Sequence, residues 1–181
     1  MKIEVLKRDE NIRLFDGRTA TLSAVRLPDG ICDVRLYTND RELEELAGRA
    51  CHSKEEAIFC FQEIYERYHF PELTGQYREL SEDLKAALAY GLERAGTDDG
   101  GTSNFDAPTL HLPGWDQKMV VEQAAKQAGV FCSIWEIVSE SYYIFSMPGV
   151  GQGYTRTNAA EAMRDYLRDK GYDAGVYYQM D

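Results

Sequence analysis

The 181-residue chain has no long apolar run, no paired cysteines and almost no histidine. Its most apolar stretch, Val130 to Val138, is short and broken by Ser133 and Glu136. A membrane span needs about 20 apolar residues, and Met1-Lys2-Ile3-Glu4-Val5 has no apolar export segment behind it. The expectation is therefore a cytoplasmic protein with no membrane partner. The four cysteines, Cys32, Cys51, Cys60 and Cys132, form no C-x-x-C pair. Cys51, His52, Cys60 and His69 lack the short paired spacing of structural zinc sites, which favours buried, reduced thiols. Three scattered histidines, without H-E-x-x-H or G-x-S-x-G, supply no catalytic constellation. The expectation is a non-enzymatic chain with no cofactor, no metal and no catalytic residue.

What the chain does have is negative charge. Acids outnumber bases 31 to 20, for a net charge of −11. Such a surface repels nucleic acid, so direct sequence-specific nucleic-acid binding is not expected. Apolar residues make up 44% of the chain, enough for a core.

The periodicities predict an α+β protein: an N-terminal antiparallel β meander, a helical middle and a C-terminal βαββαβ ferredoxin-like unit. Ile3 and Val5 alternate with polar residues, and a second strand is expected to hold Ile12 to Phe15. Thr19 to Leu27 follows the Asp16-Gly17 turn, and Pro28-Asp29-Gly30 leads into alternating Cys32, Val34 and Leu36. A short helix is expected over 41–50. Ser53 and Glu56 form a capping box for a helix carrying Ala57, Ile58, Phe61, Ile64, Tyr65 and Tyr68. Ser81 opens a third helix with Leu84, Ala87, Leu88 and Leu92 on its buried face. The Gly-, Ser- and Asp-rich stretch 96–107 reads as a linker between 1–95 and 108–181. Beyond it come a short strand over 109–112, a helix from Asp116 to about Ala128, and paired strands around Ser139-Glu140-Ser141. A helix capped by Thr157 or Asn158 and stopped by Gly171, and a last strand with Ala174, Val176 and Tyr178, complete the βαββαβ order.

Three features are candidates for function. First, residues 40–99 carry fifteen acids and seven bases. Asp40, Glu42, Glu44, Glu45, Glu55, Glu56, Glu63, Glu66, Glu82 and Asp83 would form a dense carboxylate surface. Along helices rising 1.5 Å per residue, such a row approximates the charge spacing of a duplex, roughly one per 1.7 Å. It would suit a partner with a basic nucleic-acid channel; a solvated surface with local pairs such as Glu63–Arg67 accounts for the same residues. Second, Gly149, Gly151 and Gly153 lie between a strand and a helix, with Arg156 beside them. They point to a small-molecule- or phosphate-binding loop, although neither the Walker pattern nor G-x-G-x-x-G is present; a simple connection explains them equally. Third, Tyr142, Tyr143, Phe145, Tyr177 and Tyr178 fall on C-terminal strands. There they serve the core, a protein interface or base stacking, the last without the expected basic residues.

In size, acidity and lack of a catalytic motif, the whole chain resembles the type II anti-CRISPR proteins of phages and mobile elements. Leu14 to Gly30 (LFDGRTATLSAVRLPDG) and Tyr68 to Leu84 (YHFPELTGQYRELSEDL), joined by the acidic helices, carry the likeness. The resemblance implies binding to a Cas9–guide RNA complex and a block of DNA binding or cleavage. It assigns no residue, because those inhibitors share no motif. A small-ligand-binding or enzymatic domain at the glycine loop, and a structural adaptor, are the alternatives.

Overall fold

The computed structural model describes residues 3–97, 100, 101, 103–137 and 140–179. The chain divides into two compact units, Met1–Glu72 and Leu73–Asp181.

In the first unit, β1 (Glu4–Arg13), β2 (Thr19–Arg26), β3 (Cys32–Thr38) and β4 (Glu45–Cys51) precede α1 (Lys54–Tyr68). The strands form an antiparallel meander in the order β1-β2-β3-β4. Turns at Gly17 and Gly30, both with positive φ, link the first three strands as the sequence predicts. Period-two alternation turns Ala20, Leu22, Ala24, Val34 and Leu36 inward, where they meet Ala57, Cys60 and Phe61 of α1. The capping box forms: Ser53 Oγ accepts from the Glu56 amide at 3.0 Å, and Glu56 Oε2 accepts from the His52 amide at 2.8 Å.

Two expectations for this unit are corrected. The stretch 41–50 is not a helix but a turn followed by β4, which pairs with β3 from Cys32↔Cys51 to Tyr37↔Glu45. Its Leu, Glu and Ala residues favour a helix locally, but the open edge of β3 supplies a ladder, and tertiary pairing overrides propensity. Ile12 belongs to β1, whose irregular register after Asp9 absorbs the extra residues. Ile3 and Val5 are exposed.

The second unit runs α2 (Gly75–Arg94), β5 (Ala107–His111), α3 (Lys118–Ala128), β6 (Phe131–Ile137), β7 (Glu140–Ser146), α4 (Tyr154–Asp169), β8 (Asp173–Tyr177). From β5 onward this is the expected βαββαβ unit, with an antiparallel sheet in the order β6-β7-β5-β8. Helices α3 and α4 pack on one face of it, and α2 lies against both helices. Leu80, Leu84 and Ala87 share one core with Leu110, Val121, Tyr143, Phe145, Met163 and Leu167.

Helix α2 therefore belongs to the C-terminal unit, and the division falls at residue 72, not at the expected 96–107. It starts at Gly75, ahead of the expected Ser81, and Leu92 is exposed while Gly91 is buried. A Cβ on Gly91 would stand 2.7 Å from Met163 Cγ and 2.9 Å from the Ala159 carbonyl oxygen, so this close helix crossing requires glycine. Helix α4 starts at Tyr154 behind Gly153, earlier than the expected cap at Thr157 or Asn158; Thr157 lies inside its first turn, with its amide on the Gly153 carbonyl and its hydroxyl on Asp106. Gly129 and Gly171 end α3 and α4 in the left-handed region, and the amide of the following residue in each case reaches back to a helix carbonyl. Among the described residues, no helix is long and apolar enough to cross a membrane.

Candidate functional sites

The ten acids are divided between the units, and the eight of the first unit do not form one row. Asp40 and Glu44 accept from the Arg18 guanidinium at 3.2 and 3.0 Å, with Asp16 on its Nε at 2.8 Å. Glu45 lies on the sheet face away from α1, held by Tyr37 Oη at 2.9 Å and by Arg35 at 2.5 Å. Arg35 also binds Asp33 at 3.0 Å. The hydrogen bond from Tyr37, and then Arg35, hold the Glu45 carboxyl below its usual range. Arg35 lies flat over Gly48, where a Cβ would meet its Nη1 at 2.6 Å. Glu82 pairs weakly with Arg78 at 3.9 Å, and Asp83 binds Lys170 and Tyr172 Oη, both at 3.1 Å. Glu82 and Asp83 are in the second unit, Glu56 serves its cap, and Glu42 lies exposed in the β3–β4 turn.

What remains is the solvent side of α1. Glu55, Phe59, Gln62 and Glu66 recur at spacings of four, three and four, and Glu63, four residues beyond Phe59, borders the same face. Phe59 is 65% exposed in the middle of it. Glu63 reaches Arg49 only at 3.5 Å, not the expected Arg67, and Glu66 accepts from Gln62 at 3.0 Å. The sequence shows this phenylalanine plainly, but it fell outside the acid pattern and was missed.

The glycine loop is built differently from a phosphate cradle. Arg156 is turned onto the loop's own carbonyls, Gly151 at 3.2 Å and Val150 at 3.4 Å. The Gly153 amide is donated to Asn104 Oδ1 at 3.0 Å. Gly153 alone of the three glycines lines a cavity of about 300 Å³, with Gly101, Asn104, Asp106, Tyr154, Thr157 and Tyr178. At its base Asp106 Oδ2 accepts from Thr157 Oγ1 at 2.6 Å and from Asn104 Nδ2 at 2.8 Å, and Oδ1 accepts from the Gln179 amide at 3.2 Å. A carboxylate in this position repels phosphate. Asn104 and Asp106 were missed because they sit in the stretch read as linker; composition there does not reveal burial.

The aromatic residues separate by strand alternation. Tyr143 and Phe145 are buried under the helices. Tyr142 and Tyr177 lie on the opposite face with His111 and Trp135. Tyr142 stacks on His111 at 4.9 Å, and Trp135 meets Tyr177 edge to face at 5.0 Å. His111 Nδ1 is 3.1 Å from Asp173 Oδ2, and Lys118 is paired with Glu136. Tyr178 lies past the end of β8 and donates to Glu161 Oε1 at 2.7 Å, which raises its pKa.

Cys32, Cys51 and Cys60 are buried in the first core, and Cys132 is partly buried in the second unit. Burial pushes the Cys51 thiol up to about 11 and the Cys132 thiol up to about 12, so both stay protonated and unreactive at neutral pH.

No family model, no curated protein and no solved structure matches this chain.

Proposed function

We propose that this chain is a non-enzymatic binding protein that docks the exposed face of α1 on a basic, nucleic-acid-handling protein, with a Cas9–guide RNA complex as the partner to test first. One observation carries the reading: Phe59 stands in water amid Glu55, Glu63 and Glu66. An exposed aromatic ringed by carboxylates matches a partner with an apolar hollow rimmed by Lys or Arg. The ring supplies contact energy, and the acids supply steering and register. The channel that holds a guide heteroduplex is positively charged, so an acidic helix in it would exclude DNA. Of the other acids, Asp40, Glu44, Glu45, Glu82 and Asp83 are held by bases within their own units and contribute long-range attraction.

The test is target-DNA binding and cleavage by Cas9–guide complexes, with the protein added at low and moderate salt. The expected result is loss of both, weakening as salt rises. The triple variant Glu55→Lys, Glu63→Lys, Glu66→Lys should abolish the effect, and Phe59→Ala should weaken it by roughly tenfold or more. An effect unchanged in both variants would remove the α1 mechanism. No effect of the wild-type protein on any of several orthologues would remove the Cas9 partner.

A further inference from the structure

We infer that the cavity at the start of α4 is a site for a small quaternary ammonium compound. Asp106 is only 4% exposed, and among the described residues no Lys, Arg or His pairs with it. A buried carboxylate is ordinarily matched by a cation. The N-terminus of α4, reached through Thr157, offsets part of this charge but places no full positive charge in the cavity. Tyr154 and Tyr178, both more than half exposed, line the same cavity as the carboxylate. Tyr154 leans over Gly101, where a Cβ would sit 3.6 Å from the ring. The Tyr178 hydroxyl donates to Glu161, so a second carboxylate enriches that ring and adds negative potential at the rim.

Aromatic walls over a carboxylate recognise cations. The hydrogen-bond inventory then selects among them. Asp106 Oδ2 already accepts two bonds and Oδ1 one, Asn104 Oδ1 is taken by the Gly153 amide, and Thr157 Oγ1 accepts from Asn104 at 2.9 Å. A primary ammonium brings three N–H donors that this floor can barely accept. A quaternary ammonium brings charge and methyl groups and needs no acceptor. The cavity is large enough for such a head group with a short substituent.

The test is an amide NMR titration of the full chain, following Asn104, Gly153 and Tyr154, with tetramethylammonium and choline. The neutral tert-butyl analogue of choline, and sodium chloride at matched ionic strength, are the controls. Saturable shifts with the two cations and none with the controls are expected. Tyr154→Ala and Tyr178→Ala, both surface changes, should each weaken binding roughly tenfold, and Asp106→Asn should abolish it. Equal binding of the neutral analogue, shifts reproduced by sodium chloride, or unchanged affinity in both tyrosine variants would overturn the assignment. If Asp106→Asn does not fold, the tyrosine variants decide the matter. The outcome is independent of the α1 face, which is in the other unit.

Discussion

The two units solve one problem in opposite ways. Each has a four-stranded antiparallel sheet packed by helix on one face, α1 in the first unit and α3 and α4 in the second, and each presents exposed side chains, Tyr37 and Trp135 among them, on the other. In the first unit that face is a charge lattice: Arg35 lies across Gly48 and binds Asp33 and Glu45, with Tyr37 on the same carboxylate. In the second it is aromatic, with Trp135 and Tyr177 closing over the inner strands from opposite edges and Tyr142 on His111. An ion-paired face gains little net energy in water and loosens with salt and acid. A ring-covered face shields apolar surface and is far less sensitive to either.

The comparison breaks most sharply if the units are not energetically separate. Phe61→Ala empties the centre of the first core, and Phe145→Ala that of the second; each should cost about 3–5 kcal/mol. Urea unfolding followed by amide exchange should show each variant lowering protection mainly in its own unit. Uniform loss across both would mean that one cooperative body unfolds. A smaller effect comes from Gly48→Val, which must push Arg35 off β4; because exposed ion pairs contribute about 0–1 kcal/mol, a loss of at most about 1 kcal/mol is expected, read as a slightly lower urea midpoint with the Tyr37 and Glu45 contacts gone from NMR. The smallest is the acid effect. The folded Glu45 pKa is lowered, so its contribution is present above the unfolded carboxylate value, near 4.3, and disappears as pH falls through the folded value. Glu45→Gln should therefore lower the urea midpoint at pH 7, and that difference should vanish in strong acid. A constant difference would show that the carboxylate's charge is not what matters there.

Much of this was legible in the sequence, for identifiable reasons. The Ser53–Glu56 capping box is a local device whose two bonds need only neighbouring residues. The βαββαβ order follows from switches between two- and 3.6-residue periods, and the same alternation separates inward Tyr143 and Phe145 from outward Tyr142. Strand β4 was illegible because Leu46, Ala47 and Ala50 suit a helix as well, and only the edge of β3 decides between them. The membership of α2 was hidden for the same reason: its apolar face is visible, but the helices it covers lie far along the chain. Asp106 and Asn104 look like loop residues until the fold buries them. The dispersal of the acids over two units, with Arg18 and Arg35 holding several of them, is equally a matter of tertiary structure.

The position of α2 also has a consequence for synthesis on the ribosome. The first unit has its whole core once Glu72 has emerged. Helix α2 follows directly, but it packs on α3 and α4, and its set of partners is complete, with Gly91 against Ala159 and Met163, only when α4, ending at Asp169, has been made. At ordinary translation speeds that interval is roughly 4–15 s, during which the apolar stripe of α2 is incompletely covered while the first unit has already folded. Slow codons between α2 and α4 would lengthen the exposure and favour aggregation or chaperone capture of the nascent chain, whereas slow codons just after Glu72 would give the first unit time to close before that stripe appears.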